Sequence, residues 1–210
     1  GKKFYGLSTL RVGLEKSRNL MTVRIAQDLG LAKIINFSKN LGIYDNPDEL
    51  LSISLGSAET TLLKLTSAYS VFVNGGKLVE PILIDRIQDS EGKTIFNDDK
   101  RKCTNCEKIS FLGEDYPSIE DNYKRIFSSQ TAHQMTSLLE GVVQRGTAKK
   151  LKDLNLNIGG KTGTTNKNTD TWFVGFTSNL LVGVYVGADN PISLGRYETG
   201  SKTALPIFKD

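Results

Sequence analysis

The densest concentration of chemistry-bearing residues is Gly159-Gly160-Lys161-Thr162-Gly163-Thr164-Thr165. It combines a cation, hydroxyls and glycines. On a strand, Thr162 and Thr164 project to one face, and two hydroxyls at that spacing can hold a carboxylate. Gly163 has no side chain, so a substrate backbone can come close to the strand there. The Thr164 N–H can face a developing oxyanion. Lys161 adds positive charge that holds an anion or depresses a neighbouring pKa. The same residues also suit a glycine-softened edge strand with threonines present for their β propensity. A phosphate loop fails on order. That motif needs its lysine after a glycine-rich loop and before a helix, whereas here the lysine precedes Gly163 and strand follows strand.

A second segment, Ser17-Arg18-Asn19, sits at a break in a helical pattern. Serine and asparagine two apart can supply a relay hydroxyl and an amide donor, and both are also common helix caps. Cys103 and Cys106 form a C-x-x-C pair, which by spacing is half a zinc site, a redox pair or a local disulfide. Zinc takes about four ligands, and the single histidine, His133, lies in a helical pattern. We therefore expect no metal and no cofactor, with the two cysteines in an exposed loop. The net charge is only +4, and the densest basic run is Lys100-Arg101-Lys102. A nucleic-acid partner is not expected without a basic stripe. No apolar run reaches the length of a membrane span. The opening Gly-Lys-Lys-Phe-Tyr reads as a boundary inside a longer protein, so any membrane anchor is expected outside these residues.

The elements that must position these segments follow from periodicity. Leu10 to Leu29 reads as helical in two pieces, and Ala32 to Leu41 as a short helix. Thr60 to Val73 is amphipathic, with Leu62, Leu65, Tyr69 and Phe72 on one stripe, and Asn74-Gly75-Gly76 ends it. Val79 to Gln88 and Thr94 to Phe96 read as strands around the turn Asp89-Ser90-Glu91-Gly92. Residues 97–127 are polar and irregular, an insertion or lobe connection. Ser128 to Gln144 is the strongest helix. Strands are expected at Ile158 to Thr164, Thr171 to Thr177 and Leu180 to Ala188, and their short turns favour antiparallel pairing. Lys202 to Phe208 closes the chain as a short helix, against which Pro206 argues. The sum is an α+β fold with helices packed on an antiparallel sheet.

The two segments together resemble the serine penicillin-recognising enzymes, which carry S-x-x-K, then S-x-N, then K-T-G. Here Ser17-Arg18-Asn19 precedes Lys161-Thr162-Gly163 by 144 residues. Further segments are similar to the bifunctional, class A penicillin-binding proteins. They include Leu55 through Glu59, Tyr69 through Gly76, Gly141 through Ala148, Gly160 through Asn166, Asp170 through Phe176 and Val184 through Gly187. The likeness spans nearly all of residues 1–210. It implies a serine β-lactamase/transpeptidase-like fold whose N-terminal portion lies outside this chain.

The resemblance also implies a mechanism. A serine is acylated by a D-Ala-D-Ala stem peptide, D-alanine leaves, and an amine of a second stem peptide attacks the acyl-enzyme. β-Lactams acylate the same serine, on the outer face of the bacterial membrane. By position, Ser17 would relay a proton, Asn19 would hold a substrate amide, and Lys161 would tune Ser17. Thr162, Gly163, Thr164 and Thr165 would line the substrate. The nucleophile itself is not expected among these residues. Only sixteen residues precede Ser17, and Ser8-Thr9-Leu10-Arg11 ends in an arginine that cannot act as a base. Ser90-Glu91-Gly92-Lys93 matches S-x-x-K but follows Ser17, in a turn. The chain alone is expected to be inactive. A β-lactamase or D,D-carboxypeptidase, and a non-catalytic module binding peptides or partner proteins, are the alternatives.

Overall fold

The computed structural model describes residues 5–107 and 116–210. The elements, in chain order, begin with helices α1 (Leu10–Glu15), α2 (Asn19–Leu29), α3 (Leu31–Asn40) and α4 (Leu62–Val73). Short strands follow: β1 (Lys77–Leu78), β2 (Arg86–Gln88), β3 (Thr94–Asn97), β4 (Cys103–Thr104), β5 (Ser118–Ile119) and β6 (Lys124–Arg125). Then come α5 (Ser129–Gln144), β7 (Gly159–Thr164), β8 (Thr171–Phe176), β9 (Leu181–Val186) and α6 (Ala204–Lys209). The chain divides into two compact units, one of Gly1–Val79 with Arg125–Asp210, the other Glu80–Lys124.

In the larger unit, β7, β8 and β9 form an antiparallel sheet in that order. Successive side chains alternate faces, so Phe173 joins a core with Val142, Val143, Leu151, Ile158, Ala204 and Leu205, all at most 2% exposed. Alpha5 forms because Ser128 caps it, its hydroxyl accepting the Thr131 N–H, and because Ala132, Leu139, Val142 and Val143 recur on its buried face. On α4 the buried residues are Ala68, Ser70 and Val71, while of the expected stripe Leu65, Tyr69 and Phe72 are half-buried and Leu62 stays 37% exposed. At Gly183 of β9 the sheet comes so close to α4 that a Cβ would lie 2.0 Å from Thr66 Oγ1. Alpha4 thus meets β9 and also contributes Ala68 and Val71 to a cluster with Leu41. In α6, Pro206 is the third residue, where the helix has no use for its missing N–H.

The expected strand from Val79 to Gln88 shrinks to Arg86–Gln88. Val79 is held by α4 instead: its N–H donates to Ser70 Oγ at 2.9 Å and its carbonyl accepts from Ser67 Oγ at 2.6 Å. Pro81 then removes a ladder donor.

The smaller unit contains two antiparallel hairpins, β2–β3 and β4–β5. It overlaps the expected insertion at 97–127 but begins earlier, because the β2–β3 hairpin belongs to it. Residues 108–115 of that expected segment lie outside the described residues. Cys103 and Cys106 are joined as a disulfide and are exposed.

Candidate active site

Ser17 lies in the break between α1 and α2. The chain turns there through a left-handed residue, Ser17 at φ +53°, with its N–H donating to the Leu14 carbonyl and the Arg18 N–H to the Gly13 carbonyl. Arg18 is fastened on the outer side. Its guanidinium donates to Ser8 Oγ at 2.7 Å and lies 4.0 Å from the centre of the Tyr5 ring. Ser8 is therefore occupied as an acceptor for Arg18.

Lys161 reaches Ser17 across 144 residues, its Nζ donating to Ser17 Oγ at 2.5 Å and to the Thr162 carbonyl at 3.0 Å. Because the ammonium is the donor, the Ser17 hydroxyl keeps its own proton for another acceptor. Burial lowers the Lys161 pKa to about 8, since desolvation penalises the charged amine. Asn19 opens α2 two residues on and is exposed. Its side chain has no hydrogen bond to the described residues.

The remaining strand residues are distributed around β7. Thr162 Oγ1 lies 2.9 Å from Thr147 Oγ1. Thr164 Oγ1 accepts the Gly200 N–H at 3.0 Å, which leaves the Thr164 proton free to donate. At Gly163 the close approach is made by this chain's own Gly200, where an added Cβ would sit 2.5 Å from the Gly163 carbonyl oxygen. Thr165 turns the chain from β7 to β8. Its hydroxyl lies 2.8 Å from Thr169 Oγ1 and accepts the Asp170 N–H at 2.8 Å. Beta7 is an edge strand, so alternate backbone groups on its outer side have no sheet partner.

Three residues around this centre were not legible as functional in the sequence. Glu15 is 2% exposed and receives Arg145 through Nη2 at 2.6 Å and Nε at 3.2 Å. Thr147 donates its N–H to the Glu15 carbonyl at 3.2 Å as well as meeting Thr162. The available signal was the family-like segment Gly141 through Ala148, which holds Arg145 and Thr147 but says nothing of Glu15. A Cβ at Gly146 would lie 2.3 Å from the Glu15 carbonyl oxygen.

A cavity of about 390 Å³ lies elsewhere, lined by Phe72, His133, Thr136, Glu140 and Phe176 among others, without Ser17 or Lys161. Among the described residues no group of three or more His, Cys, Asp or Glu gathers to hold a metal. No helix among the described residues is long and apolar enough to cross a membrane.

A family model for the penicillin binding protein transpeptidase domain matches residues 2–210. Penicillin-binding protein 1A of Rickettsia bellii is 49% identical over 99% of this chain, and that of Pseudomonas aeruginosa 34% identical over 98%. The chain spans only 26% and 29% of those two relatives. The crystal structure of penicillin-binding protein 1A from Haemophilus influenzae superposes with a TM-score of 0.85 at 34% identity, over 99% of this chain and 34% of that one. The α+β fold is thus the serine β-lactamase/transpeptidase-like one. With an S-x-N serine bonded to a K-T-G lysine and a family model matching residues 2–210, the chain belongs to the penicillin-binding protein transpeptidase domain family.

Proposed function

We propose that residues 1–210 form part of a serine-type peptidoglycan D,D-transpeptidase domain, with the irregular segment at 97–127 as an insertion. The observation that carries this reading is the contact between Lys161 Nζ and Ser17 Oγ, two groups far apart in sequence that the chemistry needs together. In the proposed reaction a serine Oγ attacks the D-Ala-D-Ala carbonyl. The peptide C–N bond breaks, and D-alanine leaves with a proton delivered through the Ser17 hydroxyl. An amine of a second stem peptide then attacks the ester and frees the serine. Lys161, with its lowered pKa, holds Ser17 and exchanges protons with it near neutral pH. Asn19 would hold a substrate amide. The free proton of Thr164, with Thr162, would bind the terminal carboxylate, and Thr165 and Gly163 would shape the edge along which the peptide lies. β-Lactams would acylate the same serine. The work would take place on the periplasmic or extracytoplasmic face of the membrane.

No S-x-x-K precedes Ser17 in these residues. A serine without an adjacent base is a weak nucleophile. We therefore expect the full-length protein to be labelled by a fluorescent penicillin and this 210-residue chain to remain unlabelled after denaturation. Labelling of the chain that disappears on Ser8→Ala or Ser90→Ala would move the nucleophile to that residue and overturn the assignment. An unlabelled full-length protein would leave a non-catalytic peptide-binding role, and rapid release of the label would favour a β-lactamase.

A further inference from the structure

We propose that Glu15 and Arg145 are positioning residues that set Ser17 against Lys161, an inference that rests on the transpeptidase reading of that pair. Alpha1 ends at Glu15, two residues before Ser17. The Glu15 carboxylate is 3% exposed and takes both arms of the Arg145 guanidinium, at 2.6 Å and 3.2 Å. A two-armed pair fixes direction as well as distance. Arg11 Nη1, one turn earlier, adds a longer contact at 3.7 Å. The backbone is tied too: the Thr147 N–H donates to the Glu15 carbonyl, and Lys16 Nζ donates to the Arg145 carbonyl.

Two glycines permit this approach. A Cβ at Gly141 would lie 2.0 Å from Glu15 Oε1, and one at Gly146 would lie 2.3 Å from the Glu15 carbonyl oxygen. From Thr147 the contacts run on to Thr162 Oγ1, and Lys161, its chain neighbour, returns to Ser17. Glu15, Arg145, Thr147, Thr162, Lys161 and Ser17 thus close a ring. Ser17 sits within it in a left-handed conformation that a non-glycine residue keeps only when its surroundings hold it. The Glu15 side chain is 3% exposed and that of Arg145 56%, so the pair is buried on one side only, and an apolar replacement could not supply its directionality.

The test uses the full-length protein with Glu15→Gln and Arg145→Lys made separately. The first keeps size and drops charge; the second keeps charge and loses the fork. Acylation by benzylpenicillin is resolved into a binding constant and an acylation rate constant, and the Lys161 amine is titrated by NMR. We expect the rate constant to fall about tenfold or more, as small misplacements do, with binding changed less than about twofold. The Lys161 midpoint should move up toward the ordinary lysine value. Val71→Ala, which removes fully buried atoms in the other core cluster, should lower Tm and change neither readout. If a charge variant does not fold, Thr147→Val cuts the ring at a hydroxyl and reports the same two quantities. The proposal is overturned if the folded variants lose stability as Val71→Ala does but retain the wild-type rate constant and Lys161 midpoint. A wild-type protein that penicillin does not acylate would sink the transpeptidase reading instead, and the Lys161 titration would still decide the clamp.

Discussion

The two compact units hold themselves together in different ways. In the larger one, six-residue strands place Phe173 and Val174 in a core with 0% and 2% exposure. Several of its polar contacts join residues more than a hundred positions apart, as in Glu15 with Arg145 and Ser17 with Lys161. In the unit Glu80–Lys124, strands run two to four residues and every strand residue from β2 to β5 is exposed. Among the described residues, many of its side-chain hydrogen bonds are local. Asp89 Oδ1 accepts from the backbone of Glu91 and Lys93, and Asp99 from that of Arg101. A catalytic constellation needs groups held to within fractions of an ångström, which buried long-range contacts supply and short solvated hairpins do not. The candidate chemistry lies in the first kind of region.

The largest test of that contrast removes an aromatic ring from each unit. Phe173→Ala should cost about 3–5 kcal/mol, as for a buried phenylalanine. Phe96→Ala, 44% exposed, should cost below about 1 kcal/mol, the scale of a cross-strand pair. Urea unfolding followed by Trp172, the single tryptophan and a residue of β8, should shift for the first and not for the second. Equal shifts would break the comparison.

Glycines give a smaller difference. Gly146→Ala would drive a Cβ to 2.3 Å from a backbone oxygen, a clash expected to cost about 1–3 kcal/mol. Gly92, at φ +84°, has nothing within 4 Å of an added Cβ. Gly92→Ala should therefore cost about 1 kcal/mol, from backbone strain alone. Thermal melts would reverse the argument if Gly92→Ala proved the worse.

The subtlest expectation concerns pH. Lys161 titrates at about 8 when folded and at 10.5 in its unperturbed state. Between those values the unfolded chain binds more protons, so stability should rise as pH rises from about 8 to 10.5. Below that window the full cost of burying the ammonium is present. Lys161→Met should flatten the rise. In the smaller unit, hydrogen bonds from the Arg101 side chain and backbone hold Asp99 at about 2, below its usual 3.8. That contribution is present above pH 3.8 and lost as pH falls through 2. Both groups are exposed, so added salt should weaken it. A salt-insensitive acid limb would show that Asp99 is not its source.

Local pattern carried much of the fold. The cap at Ser128, the break around Ser17, the turn at Asp89–Gly92 and the three strands after Ile158 are all written in neighbouring residues. It failed where a tertiary contact competed with it. Val79 looks like a strand residue, but α4 hydroxyls claim both of its backbone groups. Leu62 matches the helical stripe of α4, yet it stays partly exposed while the neighbouring faces are buried. Thr165 reads like its strand neighbours but spends its hydroxyl on the turn to Asp170.

The sequence by itself determined the periods and the inventory: a lysine and threonines on one strand, a serine and an asparagine at one helical break. Only the tertiary structure decided that Lys161 meets Ser17, that Glu15 is buried against Arg145, and that Thr147 joins Thr162. The reason is physical. Secondary structure follows from backbone sterics and from apolar residues spaced a few positions apart, which any short window displays. A hydrogen bond across more than a hundred residues forms only after packing has brought α1, α5 and β7 together, and no local spacing encodes that meeting.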